Sequence, residues 1–469
     1  MSSSSIVRFI YQLILRNIKI WVNGEKIEIF VPNTEYLKDN ERDFLKHNKK
    51  EIINFLEINE LFSKETTKLI LSNAGLNKAH LSFFQESLWF VENYEEGTNA
   101  YNVPLIFKLH KAVDPEVLKE SIFNVIKRHE ILRTFIHQDH TGKNYQTVDV
   151  DYQYKLDIQT VDLDSKILNQ HFIKEINHIF DLQSEYPIRA CFSKVANDDT
   201  YLTVTFHHIA FDGWSVDIFK RDISYYYIHN LNIKKGNNSQ LSLPELKNQY
   251  KDFALWQRYN LVGDRLKSHT SHWLHKLKDM KILNLLPDKQ RPPIVSYKGS
   301  DINFELTLEL SNDLRLLAKN MNISLYSLLL SAYYIMLKIY SNQDDIIVGV
   351  PFANRHYTEL EDLIGFFVNT LPVRVKINNN YSVEDFIKYV AKELLDGQLH
   401  QELPFEKLLE QLKIEKDLSK HPIYQVVFEL QGFRNNQSTT NQDGNIINIM
   451  EEYEPDTTTY NIAKFDLST

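Results

Sequence analysis

The sequence predicts an α/β protein of two lobes, preceded by a small α+β unit built around a β-hairpin. Three observations carry that reading. From about residue 80 onward, helical and strand-like runs alternate with no internal repeat. At roughly 100–200 residues per domain, a chain of 469 residues is too long for one core. Near the amino terminus, two runs of alternating polarity flank Asn23-Gly24, the strongest short hairpin signal in the chain.

Taken in order, Ile6, Phe9, Ile10, Leu13 and Ile14 recur at helical spacing and predict an amphipathic helix. Residues 18–22 and 25–31 then read as two strands around Asn23-Gly24, both turn positions needing positive φ. Pro32-Asn33 ends the second strand. Leu37, Phe44, Leu45, Ile52, Ile53, Phe55 and Leu56 predict one or two short helices. A lone hairpin is marginal in water, so these helices cover one face of it and leave an outer edge open. Residues 1–60 form this unit, and 61–79 read as a linker, partly helical, with a stop at Gly75.

Beyond the linker, helical spacing appears over 117–127, 167–179, 214–227 and 310–340. Strand-like runs occupy 103–109, 202–206, 346–350, 373–377 and 424–430. The polar, turn-rich stretch Lys234-Lys235-Gly236-Asn237-Asn238 places the lobe boundary. The lobes are therefore 80–240 and 241–469.

Charge and composition narrow the function. Lys and Arg number 53 against 62 Asp and Glu, a net charge of −9 with no basic block, which argues against nucleic-acid binding. The single cysteine, Cys191, excludes an intrachain disulfide framework and fits a reducing cytoplasm. It sits in a strand-like run, where a buried inert thiol is expected. Residues 6–15 are broken by Arg8 and Gln12 and lack a cleavage site, so no export signal is read. The apolar run 323–337 stops at Lys338, too short to span a bilayer. It predicts a buried helix entered through Asn322 or Ser324. A soluble cytoplasmic protein with no membrane partner is expected.

The chemistry concentrates in His207-His208-Ile209-Ala210-Phe211-Asp212-Gly213-Trp214-Ser215. A strand of alternating polarity, 201–206, leads into it, and a helical pattern follows from Val216. Two imidazoles thus fall at a strand end, before a turn and a helix entrance. Neighbouring strand residues face opposite ways, so only one of His207 and His208 aims into a given cleft. A neutral imidazole there accepts a proton from, or hydrogen-bonds, an attacking nucleophile. Gly213 permits close backbone approach, and helix-entrance N–H groups suit an oxyanion. Strand-end histidines also serve structure, so the segment alone leaves both roles open. A metal would need His207, His208 and Asp212, which diverge, and no further ligand set is clustered; no metal is expected. No Gly-x-Ser-x-Gly elbow supports a serine nucleophile.

The spacing His-His-x-x-x-Asp-Gly closely resembles the signature of condensation domains of nonribosomal peptide synthetases, members of the chloramphenicol acetyltransferase-like acyltransferases. The family's other motifs follow in its order. Leu81-Ser82-Phe83-Phe84-Gln85 through Phe90 resembles the opening motif, and Arg128-His129-Glu130-Ile131-Leu132-Arg133-Thr134-Phe135 the second. Tyr250 to Gln257, Gly349 to Arg355, Ile364 to Arg374, His400 to Glu406 and His421 to Phe428 complete the series. The resemblance covers 80–469. Ser87 stands where the family usually has arginine, and Phe84 where it has a small residue. Residues 463–469 resemble the start of a late family strand, so the carboxy-terminal edge reads as truncated.

The resemblance implies two acetyltransferase-like lobes in a V, with the histidine motif in a tunnel between them. It implies a donor acyl or peptidyl thioester and an aminoacyl acceptor, each on the phosphopantetheine arm of a peptidyl carrier protein. It implies no cofactor bound covalently to this chain. The acceptor amine attacks the thioester and forms a peptide bond. The resemblance makes His208 central, as base or as the group orienting the amine, with His207 and Gly213 beside it. An α-amine pKa of about 7.7–8.0 favours orientation with partial base character. Asp212 is read as structural, braced by Arg355 or Arg374, with Trp214, Phe366 and Phe367 as packing. Arg128, His129, Glu130 and Arg133 are read as pairing with one another. The subtype most resembled joins an L-configured donor to an L-aminoacyl acceptor.

Ester-forming and epimerising relatives remain open, as does a non-catalytic recruitment module; such modules usually have a degraded histidine motif. The paired histidines argue against heterocyclising relatives. Residues 1–60 resemble docking domains of the tubulysin-synthetase type, which implies capture of an upstream subunit's carboxy-terminal tail on the hairpin edge. Lys19 and Lys26 either meet an acidic tail there or merely blunt the edge.

Overall fold

The computed structural model describes residues 3–14, 16, 18–32, 35–64, 70–72, 75–94, 98–152, 156–195, 199–237, 243–293, 295–413, 417, 419–430, 449–455 and 462–469. The chain divides into two compact units. Unit 1 comprises 1–262, 355–366 and 435–454, and unit 2 comprises 263–354, 367–434 and 455–469. The division therefore falls at 262/263, not 240/241. Lys234 is the last residue of a long helix with Lys235 as its C-cap, and the next helix is buried within unit 1. Asn238 lies outside the described residues. Residues 1–60 do not separate as a unit of their own.

Unit 1 opens with α1 (Ser3–Ile14), β1 (Lys19–Asn23), β2 (Lys26–Phe30), α2 (Asp39–His47) and α3 (Lys49–Ile58). The hairpin pairs Lys19 with Phe30 and Asn23 with Lys26, so its turn is Gly24-Glu25, one residue later than expected. Gly24 takes φ +58, whereas Asn23 and Glu25 do not lie at positive φ. Glycine in the first turn position is the II′ arrangement, which matches the strand twist with a single left-handed residue. Asn33, expected to close the hairpin's second strand, lies outside the described residues. The Val22 N–H donates to the Leu61 carbonyl at 2.9 Å. Lys19 Nζ donates to the Lys64 carbonyl at 3.2 Å. These contacts cover β1 and leave β2 as the outer strand.

Further along lie β3 (Lys78–His80), α4 (Phe83–Tyr94), β4 (Asn102–Leu109), α5 (Pro115–Arg128), β5 (Thr134–Gln138), β6 (Asn144–Val148) and β7 (Gln159–Leu163). They are followed by α6 (Leu168–Ile176), β8 (Ile188–Val195), β9 (Asp199–His207), α7 (Gly213–Lys234) and α8 (Tyr250–Asn260). No helix occurs among the described residues of 61–79; Gly75 is a turn residue at φ +86 and β3 begins at Lys78. Pro115 opens α5 behind Asp114, whose side chain accepts the Glu116 and Val117 N–H groups.

The amino-terminal element is fastened to α8. Tyr11 stacks on Tyr259 with centroids 5.3 Å apart, and its hydroxyl accepts the Leu71 N–H at 3.1 Å. Lys247 pairs with Glu60 at 2.9 Å.

Unit 2 holds α9 (Gly263–Lys276), α10 (Leu308–Asn320), α11 (Leu325–Ser341), β10 (Asp345–Phe352), β11 (Asn369–Lys376), α12 (Val383–Leu399), α13 (Phe405–Leu412) and β12 (Val426–Val427). The strand β13 (Met450–Glu452) returns to unit 1, and β14 (Leu467–Ser468) lies in unit 2. The helical run 310–340 is two helices. Asn322 turns through φ 55, and Ser324 caps α11 by accepting the Ser327 N–H. Of 424–430, only Val426 and Val427 are strand.

The sheet of unit 2 runs β11-β10-β12-β14 and its core gathers Tyr334, Leu337, Val348, Phe352, Leu371 and Tyr424. Gly349 is required there: a Cβ would stand 2.4 Å from the Tyr424 ring. Among the described residues no single helix is long and apolar enough to cross a membrane.

Candidate active site

The site grows from the five-stranded sheet of unit 1, ordered β13-β4-β9-β8-β7. Strand β9 lies between β4 and β8, antiparallel to both, with His207 opposite Asn102. Tyr201 through His207 are all buried, so the alternating polarity of this strand does not mark a solvent face. An interior strand buries both faces, and the Thr205 hydroxyl is satisfied by the Glu175 carbonyl at 3.2 Å.

His207 and His208 part company at the strand end. His207 is buried, its Nε2 2.9 Å from Glu92 Oε1, while its Nδ1 accepts the Ile209 N–H at 3.1 Å. Those partners select the tautomer that carries its proton on Nε2 and donates it to Glu92. His208 begins a 3₁₀ turn, His208–Ala210. Its backbone N–H donates to the Tyr101 carbonyl at 2.8 Å. The ring is half-buried and meets Phe366 edge-on, with centroids 4.8 Å apart.

Asp212 caps α7. Its Oδ1 accepts the Ser215 N–H at 2.9 Å and the Ser215 hydroxyl at 2.7 Å, and lies 3.0 Å from Arg355 Nη2. Arg355 also donates to the carbonyls of Leu360 and Leu363. Burial pulls Arg355 below its ordinary pKa, against the attraction of Asp212. Residues 355–366 belong to unit 1 and are held there by Ser215 Oγ at the Gly365 carbonyl (3.2 Å), Tyr250 Oη at the Phe366 carbonyl (2.6 Å) and Trp214 Nε1 at the Glu361 carbonyl (3.2 Å). Gly213 is the exposed first residue of α7.

Arg374 is not at this site. It belongs to unit 2, where it grips Asp345 at 2.6 Å and the carbonyls of Lys276 and Lys278. A guanidinium already met by a carboxylate and two carbonyls is satisfied without Asp212.

The second motif also resolves differently from expectation. Within it, only Glu130 and Arg133 pair, at 3.7 Å. Arg128 Nε and His129 Nε2 both converge on the buried Asp222 of α7, at 2.9 and 2.8 Å, and Glu130 reaches Lys251 at 2.6 Å. Burial opposes the charge on Asp222, yet His129, Arg221 and Arg128 hold it below the usual carboxylate range. Burial pushes the Cys191 thiol up to about 11, which suits an inert side chain.

Sequence reasoning does not single out Glu92, Asp222 or Ser215. Ser215 closes the histidine motif and sits three residues after Asp212, a helix-capping spacing that was available. Glu92 and Asp222 carry no such local signal.

Chemically, the turn places one half-buried imidazole on a fixed backbone, beside a histidine bonded to Glu92 and a carboxylate bonded to Ser215 and Arg355. Among the described residues no group of three or more His, Cys, Asp or Glu side chains is placed to hold a metal ion. One imidazole so held accepts a hydrogen bond from a nucleophile or takes its proton.

A family model described as the condensation domain matches residues 76–469. The chain belongs to the condensation-domain family. This condensation domain is 35% identical over 389 residues to N-(5-amino-5-carboxypentanoyl)-L-cysteinyl-D-valine synthase of Penicillium rubens, covering 82% of the chain and 10% of that protein. It is 33% identical over 399 residues to malpinin synthetase of Mortierella alpina, covering 84% and 5%. The chain thus spans a tenth or less of these relatives. Among solved structures it is similar to the X-domain in its complex with OxyB from teicoplanin biosynthesis, with TM-score 0.71, 22% identity and coverage of 87% and 86%. It is also similar to the condensation domain of the monacolin K polyketide synthase MokA, with TM-score 0.70, 19% identity and coverage of 84% and 89%. At those identities the likeness is one of fold, a mixed α/β architecture of two lobes.

Proposed function

We propose that this condensation domain forms an amide bond within a nonribosomal peptide synthetase. A donor acyl or peptidyl thioester on one carrier protein is attacked by the α-amine of an aminoacyl thioester on another. Both substrates arrive on phosphopantetheine arms that belong to the carriers. The nitrogen–carbonyl bond forms, the donor thiolate leaves and takes up a proton, and the lengthened chain stays on the acceptor carrier.

One observation supports this reading above the others: the 3₁₀ turn that ends β9 presents the half-buried His208 ring beside Phe366 on a backbone held by the Tyr101 carbonyl and flanked by the His207–Glu92 and Asp212–Arg355 pairs. His208 orients the acceptor amine and takes part of its proton as the bond forms. Of the first-turn N–H groups of α7, Ser215's is taken by Asp212, and those of Gly213 and Trp214 favour the negative charge that grows on the thioester oxygen. Asp212, Arg355 and Trp214 hold the turn.

The amino-terminal element serves as a docking unit for an upstream subunit's tail. Strand β2 offers the outer edge for strand addition, and the exposed Lys26 on it suits an acidic tail. Lys19 is drawn to the Lys64 carbonyl and contributes less.

A non-catalytic recruitment module is the second reading, favoured by the fold similarity to an X-domain whose solved structure is a complex with OxyB. Single-turnover reaction of two loaded carrier proteins separates the readings. An amide product supports catalysis, an ester from a hydroxyl acceptor alone supports the ester-forming relative, and no transfer supports recruitment.

A further inference from the structure

The carboxylate of Glu92 stands where two routes to His208 meet. Glu92 lies on α4, 115 residues upstream of His207, and is buried. One oxygen, Oε1, accepts from His207 Nε2 at 2.9 Å, and His207 Nδ1 in turn accepts the Ile209 N–H at 3.1 Å. That second bond fixes the middle of the turn that His208 begins. The other oxygen, Oε2, accepts the Thr98 N–H at 3.4 Å. The chain from Thr98 runs through Tyr101, whose carbonyl accepts the His208 N–H at 2.8 Å, into β4, where Asn102 pairs with His207. Asn102 is itself pinned, donating to the carbonyls of Ile176 and His178 at 2.8 Å. A ring of bonds therefore closes around the backbone of His208, and Glu92 is its junction.

We propose that Glu92 is a positioning residue for condensation, acting chiefly through His207 to fix the turn that presents His208. The inference rests on the amide-forming reading above. A buried carboxylate that accepts an imidazole N–H sets the tautomer and angle of that ring, and through it the hydrogen bond on the ring's far nitrogen. Holding a reacting group within a fraction of an ångström carries a large part of an enzymatic rate, so a loosened turn lowers turnover without weakening carrier binding.

The test compares Glu92→Gln, which keeps an oxygen for His207 Nε2–H and gives up only the longer 3.4 Å bond from the Thr98 N–H, with Glu92→Asp, which keeps the charge but withdraws it by one methylene. Glu92→Gln is expected to react within about threefold of the wild-type protein, and Glu92→Asp at least about tenfold more slowly in kcat with carrier KM unchanged. Backbone hydrogen exchange at His208 to Ala210 supplies a readout apart from activity, and Glu92→Asp speeds it while protection elsewhere in unit 1 persists. Glu92→Asp matching the wild type in rate and exchange overturns the inference, as does Glu92→Gln falling as low as Glu92→Asp. If the wild-type protein forms no amide, the functional reading fails, and the exchange experiment still decides whether Glu92 holds the turn.

Discussion

Asp212 Oδ1 receives Arg355 Nη2 at 3.0 Å and the Ser215 N–H at 2.9 Å, so one carboxylate oxygen both braces segment 355–366 and caps the helix after His208. Both side chains are almost wholly removed from solvent. Breaking such a pair leaves an uncompensated buried charge, at a cost of about 3–5 kcal/mol. Asp212→Ala is therefore expected to lower unfolding stability by that order. Asp212→Ala with Arg355→Met should lose less than the two single changes added together, because the stranded charge is gone. Chemical unfolding of the four proteins checks this. An Asp212→Ala protein as stable as wild type, with its rate collapsed, would make Asp212 a reacting group instead.

Acid should weaken unit 2. His421 packs among Phe405, Tyr424 and Phe465, with centroids 5.1, 4.0 and 5.4 Å away, and burial pulls its pKa down to about 3. Burial, with His400 and Lys276 nearby, pulls His272 down to about 4. Each ring is neutral in the fold but takes a proton near pH 6.5 once unfolded, at about the ordinary histidine value. The stability they support is present above about pH 6.5 and is lost as pH falls towards the folded values. Melting curves from about pH 7 to about pH 5 should shift downward, and His421→Asn should flatten the shift. Equal slopes in the two proteins would remove His421 from the explanation.

The amino-terminal element is bound to the rest of unit 1 through Tyr11 on Tyr259 and Glu60 on Lys247. Deleting residues 1–60 exposes that face of α8 and is expected to lower the melting temperature, so deletion alone does not test docking. Charge reversal does. Lys26→Glu should weaken binding of an acidic upstream tail, more so at low salt, and Lys19→Glu should matter less. Titration of the full chain with candidate tails measures it; equal effects of the two reversals would place the tail elsewhere.

Much of this was legible in the sequence where the signal is local. The motif from His207 to Ser215 showed a strand end, a turn and a helix entrance because those residue types alternate their demands within nine positions. The hairpin was visible too, although its turn sits on Gly24-Glu25, since one left-handed glycine suffices for a II′ turn. What stayed hidden depends on distant pairs. Glu92 is an ordinary helical glutamate until β4 and β9 bring His207 beside it. Segment 355–366 lies between two strands of unit 2 in sequence and belongs to unit 1 in space, because the Asp212 carboxylate, the Ser215 hydroxyl and the Tyr250 hydroxyl hold it. Arg355 and Arg374 are equal candidates on paper; only the fold separates them.

The most direct measurement is single-turnover amide formation between two loaded carrier proteins by wild type and His208→Ala, with thermal unfolding of both. His208 meets Phe366 edge-on at the site, and its backbone N–H donates to the Tyr101 carbonyl. The wild-type protein should release an amide-linked product on the acceptor carrier. His208→Ala should do so about 10²–10⁴-fold more slowly at an unchanged melting temperature. A His208→Ala protein that condenses at a near-normal rate would contradict the role assigned to this histidine.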